Sequence, residues 1–525
     1  MPNITAQQVS LNSTPSKPIN TIVFDLGDVL FTWSASTPKS PLPAKVVRNI
    51  LRSVNWFEYE KGNISEEEAY SLVGQEFNVS AADVKTAFEA ARDSLQSDPQ
   101  MLEVIKELRK KGITIYAMSN ISAPDYEVLK TKAAPEEWAL FDHTFTSAAA
   151  HERKPNIGFF KHVIDNAGID PTTTVFVDDK LENVLSARSF GMHGIVFEDK
   201  SKVIQELKNL CFDPIERGKE FLESHKKKLN SVTSNNIELS ENFAQLLILE
   251  ATGDKSLVDY IKYSGQFNFF QNGGVLTTEQ FPNDLDTTSI GLTVSDHVDN
   301  ATKHRVMDEM LKYRNSDGII QVYFDHTRPR IDPVVCVNVL TLFYENGRGH
   351  ELSATLDWVK QVLINRAYIA GTYYYATADL FLFFLSRLIE VAPEIRPSIV
   401  PLFRERVMER FGAEADALSL AARIIAASVV DIIDERDLET LRSMQGVDGG
   451  WANGWFYKYG ASGILIKNDG VTTAWAMRAI RQVRALRKRQ VQPASAAPPS
   501  ILSSVYQLSS AIFHIIPRFI SPFYT

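Results

Sequence analysis

Seven side chains in the first 200 residues could together carry out phosphoryl transfer. They are Asp25, Ser119, Asn120, Lys154, Asp178, Asp179 and Glu182. The four carboxylates could bind Mg²⁺, which prefers oxygen ligands, and Asp25 could also attack phosphorus as a nucleophile. Ser119, Asn120 and Lys154 could hold the phosphate and neutralise its charge. Asp25 alone would be a weak signal, because an Asp that caps a turn fits the same position.

A second group of acids and hydroxyls occurs in the other half of the sequence. Asp284 and Asp286 are two residues apart, and Thr287 and Thr288 follow directly. Such a cluster is also typical of a helix N-cap and turn. Its part of the chain is, however, rich in aromatic residues, as at Tyr373–Tyr375. A carboxylic acid kept neutral by desolvation can protonate an alkene, and aromatic faces can stabilise the resulting carbocation.

The first half of the sequence alternates short apolar runs with helical stretches. The runs are Thr21–Asp25, Ile113–Met118, Thr174–Val177 and Gly194–Phe197. Each is rich in β-branched or aromatic residues and is followed by a turn or helix, which predicts a parallel sheet covered on both faces. Parallel sheets bind ligands at the carboxyl ends of their strands, where the acids of this half lie. A helical insert is predicted between the first two strands, over about residues 43–111.

Strand signals end in the second half of the sequence. After a polar linker at residues 226–236, long apolar-periodic stretches recur with polar turns between them, over about residues 237–487. This pattern predicts an all-α domain of about ten helices. Residues 488–525 are predicted to be a linker rich in Ala, Pro and Ser and an apolar tail, which could dock on the body of the protein or on a membrane surface.

The overall composition is typical of a globular chain with enough apolar residues for a core. Its 55 basic and 64 acidic side chains give a net charge of −9, which argues against a nucleic-acid-binding protein. The two cysteines, Cys211 and Cys336, predict no disulfide framework and a reducing compartment, so we expect a cytoplasmic location. Residues 1–19 are polar, so we expect a disordered N-terminus without a secretory leader. No apolar run is long enough to predict a membrane span.

The order and spacing of the motifs in the first half resemble the haloacid dehalogenase superfamily over about residues 20–215. The matching segments are Phe24–Leu30, Met118–Asn120, Arg153–Pro155 and Val177–Glu182. The resemblance implies a Rossmann-like phosphatase domain over residues 20–218, with the helical insert as its cap and Mg²⁺ as its cofactor. The alternative is an inactive fold kept as a scaffold.

The residue two positions after Asp25 departs from the superfamily pattern. Phosphatases of this superfamily usually carry a second Asp there as the general acid, whereas this chain has Gly27, whose carbonyl could bind the metal but which cannot donate a proton. A diphosphate expels an alkyl phosphate, which needs little protonation. A monophosphate expels an alkoxide, for which loss of general acid catalysis costs about 10²- to 10⁴-fold. We therefore expect the first phosphate to leave more readily than the second. Asp28 could substitute as the acid, although we expect its side chain to point elsewhere.

Two motifs of the second half resemble those of class II terpene cyclases. Asp284–Thr288 is similar to their acid motif and Gln445–Trp451 to their Gln–Trp motif, so the resemblance covers about residues 235–490 and implies an α-barrel cyclase domain. In those enzymes the middle Asp donates the proton, which assigns that role to Asp286. The residues that would orient and acidify it, or complete its hydrogen-bond network, are Asp284, Thr287 and Thr288. One such domain is visible, so its active-site mouth would be open unless the first half covers it.

The combination of the two halves resembles the drimane-type sesquiterpene synthases. That resemblance implies a two-step reaction on farnesyl diphosphate. Proton-initiated cyclisation would give a bicyclic drimane-type diphosphate, and Mg²⁺-dependent dephosphorylation would then give the monophosphate or the alcohol. The alternative is a stand-alone phosphatase of isoprenoid or lipid phosphates, whose helical half only recognises the substrate. The expected partner is a small-molecule isoprenoid diphosphate substrate.

Overall fold

The first half of the chain folds around a parallel sheet. The computed structural model describes residues 17–491. The elements of the first half are, in chain order, β1 (Thr21–Phe24), β2 (Phe31–Thr32), α1 (Ala44–Ile50), α2 (Val54–Glu60), α3 (Glu66–Phe77), α4 (Ala81–Asp93), β3 (Gln96–Ser97), α5 (Pro99–Lys110), β4 (Thr114–Ser119), α6 (Ala123–Lys130), α7 (Pro135–Trp138), β5 (His143–Thr146), α8 (Ser147–Ala150), α9 (Ile157–Ala167), β6 (Thr174–Asp178), α10 (Leu181–Ser189), β7 (His193–Val196) and α11 (Lys200–Cys211).

Five strands form this sheet in the spatial order β5-β4-β1-β6-β7, and every pairing within it is parallel. The four predicted strands are confirmed as β1, β4, β6 and β7. Strand β5 was not predicted. It lies at the edge of the sheet with His143 exposed, and it therefore lacks a continuous apolar run.

The helical insert forms a separate cap with its own small core. Helices α1 to α4 bury Val47, Trp56, Val73 and Phe88 against one another. Helix α5, by contrast, packs against β4 and α11 in the core of the sheet. The predicted cap over residues 43–111 is therefore too long, since it ends with α4. Periodicity alone could not separate the two, because cap helices and sheet-covering helices are both amphipathic.

The second half forms a ring of helices. Its elements are, in chain order, α12 (Pro214–Ser224), β8 (Ser231–Thr233), β9 (Glu238–Leu239), α13 (Asn242–Thr252), α14 (Leu285–Val294), α15 (Asn300–Met310), α16 (Pro333–Glu345), α17 (Ser353–Ile364), α18 (Ala378–Val391), α19 (Arg396–Met408), α20 (Ala417–Val429), α21 (Glu435–Ser443), β10 (Trp455–Lys458), β11 (Leu465–Lys467) and α22 (Asp469–Val491). Helices α13, α14, α16, α18, α20 and α22 each pack against the next, and α22 returns to α13. The predicted helical barrel is confirmed by this closed ring.

A small antiparallel sheet accompanies the predicted helices of the second half. Its strands lie in the order β10-β11-β8-β9. Strand β8 falls inside the predicted linker at residues 226–236, yet it buries Ser231 and Thr233. These strands are only two to four residues long, too short for alternation to reveal them.

The two halves meet through α11, α12 and the loop that follows α21. Gln205 and Asn209 of α11 donate side-chain hydrogen bonds of 2.8 and 3.2 Å to the carbonyl of Gln445. Helix α12 packs on α22 and therefore belongs to the core of the second half. The predicted end of the first half at residue 218 falls inside this helix, because the chain gives no composition change between α11 and α12.

Most of the predicted N-terminal and C-terminal tails lie outside the residues that the structure describes. The residues outside the description are 1–16 and 492–525. They include most of the predicted disordered N-terminus and the predicted apolar C-terminal segment. Ile19 is buried, and α22 continues to Val491, past the predicted start of the linker at residue 488. Between residues 17 and 491, no helix combines the length and the apolar character needed to cross a membrane.

Candidate active sites

The predicted phosphoryl-transfer residues meet at the carboxyl ends of three adjacent strands. Asp25 directly follows β1, Ser119 ends β4 and Asp178 ends β6, and the order β4-β1-β6 places these ends side by side. Lys154 reaches this edge from the loop before α9. Its Nζ lies 2.8 Å from Asp25 Oδ1 and 2.6 Å from Asp178 Oδ2. The sheet topology thus assembles the nucleophile, the cation and the acids.

Burial controls the charges at this edge of the sheet. Desolvation raises the pKa of Asp25 to about 7, although the charge of Lys154 opposes the shift. Lys154 is 1% exposed, and desolvation disfavours its charged form. The negative charges of Asp178 and Asp25 outweigh that effect and raise the pKa of Lys154. A divalent cation here would favour the ionised form of Asp25 that nucleophilic attack requires.

The acids of this edge form a set of oxygen ligands that fits a divalent cation. Carboxylate oxygens of Asp25, Asp178 and Asp179 lie within 4.8 Å of one another. Both oxygens of Asp178 already accept hydrogen bonds, whereas Oδ1 of Asp179 is buried without a partner in the described part of the chain, as suits a metal ligand. Glu182, a predicted ligand, is exposed and outside this cluster. The next residue, Asn183, is buried and donates to Asp178 Oδ1 at 2.8 Å.

The other predicted residues of this half line the cavity above the sheet edge. Ser119, Asn120 and Gly27 are all part of its wall. Asn120 also fixes the loop that carries Lys154, since its side chain donates to the carbonyl of Lys154 at 2.9 Å and accepts from its amide at 2.8 Å. Asp28 lines the same cavity, contrary to the expectation that it points elsewhere. Its backbone is left-handed, with φ of +57°.

The cavity of the first half, about 230 Å³, combines this polar edge with an apolar wall. The apolar residues, from cap and core, include Phe31, Leu51, Trp56, Phe88, Leu95 and Leu129. An ion pair between Glu60 of the cap and Arg153 of the core, with Nε and Oε2 3.0 Å apart, also lines it. A phosphate ester with a hydrocarbon body suits such a cavity, because its phosphate can meet the polar edge and its hydrocarbon the apolar wall.

Asp286 lies in the first turn of α14, at the wall of a second cavity. Its Oδ1 accepts a hydrogen bond from Asn338 Nδ2 at 2.7 Å, and its Oδ2 accepts one from the Tyr375 hydroxyl at 2.5 Å. Desolvation raises the pKa of Asp286 to about 7 against the effect of these two hydrogen bonds. Desolvation also raises the pKa of Asp284 to about 8. Both acids therefore keep a large neutral fraction near neutral pH, as protonation of an alkene requires.

Asn338 is held in one orientation by a buried ion pair. Arg387 Nη1 donates to Asn338 Oδ1 at 2.9 Å, and Arg387 Nε donates to Glu250 Oε1 at 3.1 Å. Because the amide oxygen of Asn338 faces the guanidinium, its Nδ2 faces Asp286. The sequence analysis did not identify this network. An arginine within the apolar sequence of α18 is the signal that could have indicated it.

The hydrogen bonds within the acid motif itself differ from the prediction. Oδ1 of Asp284 caps α14 by accepting from the Thr287 amide at 2.6 Å. Its Oδ2 and the Thr287 hydroxyl are buried without partners among residues 17–491. Thr288 bonds through its hydroxyl to the backbone of a neighbouring loop. These residues therefore build the start of α14, and the donors to Asp286 come from α16 and from the loop before α18.

An aromatic cavity of about 310 Å³ opens beside Asp286. The aromatic residues that line it are Phe243, Phe269, Phe270, Phe281, Tyr323, Tyr374, Tyr375, Tyr457 and Tyr459. Three cations, Arg328, Arg330 and Lys458, line it as well. No described residue of the first half is part of its wall, so the first half does not cover this cavity.

The Gln445–Trp451 motif supports the ring and does not line either cavity. Gln445 Nε2 donates to the carbonyl of Pro214 at 2.9 Å, and its Oε1 accepts from Arg217 Nη1 at 3.1 Å. Trp451 is fully buried, and its indole donates to a carbonyl of α21 at 2.7 Å. The motif thus fixes α12 and α21 on the ring, next to the junction with the first half.

Known proteins match both halves of the chain. A family model described as the sesquiterpene cyclase astC-like C-terminal domain matches residues 215–346, and one described as haloacid dehalogenase-like hydrolase matches residues 19–191. The sesquiterpene phosphatase astK of Aspergillus oryzae is 34% identical over 188 residues, which cover 36% of this chain and 94% of that protein. A haloacid dehalogenase family enzyme of Bacteroides thetaiotaomicron, solved in complex with magnesium and inorganic phosphate, is 23% identical. That alignment covers 35% of this chain and 98% of that one, with a TM-score of 0.29.

One relative matches across both halves. The drimenol cyclase drtB of Aspergillus calidoustus is 43% identical over 473 residues, which cover 88% of each protein. The alignment therefore covers most of both halves of the chain. The chain is an enzyme that joins a haloacid dehalogenase-like hydrolase domain to an astC-like cyclase domain, and it belongs to the drimenol cyclase family.

Proposed function

We propose that this enzyme cyclises farnesyl diphosphate to a bicyclic drimane-type diphosphate in its second half. The first half then removes phosphate, with Mg²⁺, to give the monophosphate or the alcohol. The observation that carries the proposal is Asp286, an acid with a raised pKa at the wall of an aromatic cavity that also contains three cations. A protein that only hydrolysed phosphate esters would have no use for this acid.

The contacts of Asp286 determine which of its oxygens carries the proton. The amide nitrogen of Asn338 can only donate, so Oδ1 is an acceptor in either protonation state. The neutral acid therefore carries its proton on Oδ2, beside the Tyr375 hydroxyl, which can rotate to accept it. When the proton passes to the alkene, this hydroxyl rotates back and donates to the carboxylate. Tyr375 and Asn338 thus stabilise the negative charge that appears on Asp286 during the reaction.

The cyclisation itself takes place inside the aromatic cavity. The distal alkene takes the proton, and the aromatic faces shield the cation from water and stabilise it by about 0.5 to 2 kcal/mol each. Arg328, Arg330 and Lys458 would bind the diphosphate, because they are the cations of this cavity among the described residues. Class II cyclisation leaves the carbon–oxygen bond intact, so a separate hydrolytic site must release the alcohol.

The first half supplies that hydrolytic site. Asp25 attacks the terminal phosphorus, while Lys154 and Ser119 bind the phosphate and neutralise its charge. The groups that would hold Mg²⁺ are Asp25, Asp178, Asp179 and the Gly27 carbonyl. When bound, the cation supplies positive charge that binds phosphate and keeps the nucleophile ionised. The apolar wall under the cap would receive the bicyclic hydrocarbon.

Incubation of the purified protein with farnesyl diphosphate and Mg²⁺, followed by mass spectrometry of the products, tests the proposal. A bicyclic alcohol or its phosphate is the expected result. Farnesol alone would favour the stand-alone phosphatase, and no turnover would contradict both interpretations. The Asp286→Ala variant serves as the control, since any bicyclic product it forms cannot come from the proposed acid.

A further inference from the structure

Arg153 lies in the cavity of the first half but has no part in the steps above. It precedes Lys154 and lines the same cavity as Asp25. Its Nε donates to Glu60 Oε2 at 3.0 Å, and its guanidinium carbon lies 3.7 Å from the centre of the Phe57 ring. Within the described part of the chain, its two terminal nitrogens donate no hydrogen bond. The guanidinium is thus held by Glu60 at its Nε edge and by Phe57 at one face. Its two terminal nitrogens can form a bidentate contact with an anion.

A second cation, Lys180, lies near both the nucleophile and this arginine. It lines the same cavity, and its ammonium group forms no ion pair or hydrogen bond with any residue between 17 and 491. Its positive charge acts on Asp25 and on Glu60, where it opposes the rise in pKa that burial causes at each carboxyl. Lys180 therefore belongs to the same cavity wall as Asp25 and Arg153.

We propose that Arg153 and Lys180 bind the phosphate that leaves, which is the one joined to the hydrocarbon, so that this site is selective for diphosphate esters over monophosphates. The inference rests on the proposed phosphohydrolase function. Gly27 supports it, because the position of the usual general acid has no proton donor, and the neighbouring Asp28 of this cavity accepts a hydrogen bond from the Trp33 indole at 3.2 Å. A leaving alkyl phosphate needs positive charge beside the breaking bond more than it needs a proton, and two cations meet that need.

The bond changes balance without a general acid. A carboxylate oxygen of Asp25 forms a bond to the terminal phosphorus, and the bond from this phosphorus to the bridging oxygen breaks. The bridging oxygen keeps the electron pair and leaves as part of an alkyl phosphate held by Arg153 and Lys180. Water then attacks the phosphorylated aspartate, gives up a proton to the solvent, and releases inorganic phosphate and the free carboxylate.

The test compares farnesyl diphosphate with farnesyl monophosphate as substrates of the full-length protein. The parent protein is Asp286→Asn, so that cyclisation does not change the substrate, and phosphate release gives kcat/KM for each ester. The ratio of diphosphate to monophosphate kcat/KM should fall about 10- to 100-fold in Arg153→Met, the range expected for loss of hydrogen bonds between charged groups. Lys180→Met should lower the same ratio, and because Lys180 is exposed, this variant should fold like its parent.

Two controls separate binding from a structural role. Added methylguanidinium should restore part of the ratio in Arg153→Ala, which a loss of cap packing would not allow. Arg48→Met removes an exposed arginine of α1 outside the cavity and should keep the parent ratio. An equal loss on both esters in Arg153→Met, or an unchanged ratio in both cavity variants, would overturn the proposal. If the parent hydrolyses neither ester, the phosphohydrolase function itself fails, which is a distinct result.

Discussion

In the proposed mechanism Asp286 acts only as a neutral acid, so cyclisation should depend steeply on pH. Its pKa is raised to about 7, so the neutral form predominates below that pH and is lost above it. About half of the molecules would be active at pH 7, and the active fraction would fall about tenfold for each further pH unit. The pKa of Asp284 is raised to about 8, so this neighbour is still mainly neutral at pH 7 and adds little repulsion.

Replacement of Tyr375 by Phe should move this pH profile to higher pH. The hydroxyl donates to Asp286 at 2.5 Å and so lowers the pKa of the acid. A hydrogen bond to a charged group contributes about 1.5 to 3 kcal/mol, which corresponds to a shift of about one to two pKa units. The midpoint in Tyr375→Phe should rise by about that amount, even though its maximal rate falls. Tyr374→Phe is the matched control, because that hydroxyl pairs with Tyr323 at 2.9 Å and should leave the midpoint unchanged.

Cyclisation can be measured alone in an Asp25→Asn background, in which the cyclised diphosphate should accumulate. An added phosphatase then releases the alcohol, which is quantified by mass spectrometry across about pH 6 to about pH 9, a range that brackets the raised pKa. A rate that stays flat across this range would refute the assignment of a neutral Asp286 as the proton donor. A midpoint that falls in Tyr375→Phe would refute the role of its hydroxyl.

Removal of either key acid should stop one half of the reaction only. Asp286→Ala should abolish ring formation, whereas Asp179→Ala should accumulate the cyclised diphosphate. A ring product from the first variant would contradict its assigned role. Because the two cavities share no lining residue, a mixture of Asp286→Ala and Asp25→Asn should restore the full reaction. A mixture without alcohol product would show that the intermediate must pass between halves of one chain. Because Gly27 cannot protonate an alkoxide, phosphorus NMR should detect transient monophosphate, and direct formation of the alcohol would count against this reasoning. Chelation of Mg²⁺ should stop phosphate release, and its return should restore it.

Continuous apolar runs in the sequence predicted the main strands and helices, whereas several short strands were not predicted. Strands β1, β4, β6 and β7 are runs of mostly buried β-branched and aromatic residues, so their sequences reveal them. Strand β5 begins with two polar residues, of which His143 is exposed, and β8, β9 and β11 have only two or three residues each, so these strands lack a continuous apolar run. The end of the cap was misplaced because a sequence shows that one face of α5 is apolar but not which core covers that face.

Local motifs identified the candidate reacting groups but not the side chains that form hydrogen bonds with them. Asp286 stands out by its spacing, whereas Asn338 and Tyr375 lie 52 and 89 residues away and are brought to it by closure of the helical ring. At the metal site, residue type favoured the acid Glu182 over the amide Asn183. The start of α10 turns the former outward and the latter toward Asp178, which depends on where the helix begins.

Asp25 and Asp286 show why one chain needs two cavities for its two reactions. Burial raises the pKa of each to about 7, so burial alone does not decide what either carboxyl does. Asp25 faces Lys154 and lies beside two acids with which it would share a divalent cation. The positive charges of the lysine and of that cation favour the ionised, nucleophilic form of Asp25. Asp286 faces an amide and a phenol, which are neutral donors, and the charge of Arg387 in its network is balanced by Glu250. The cation that activates the first carboxyl would ionise the second and end cyclisation, so the proton donor and the nucleophile can work only in separate electrostatic environments.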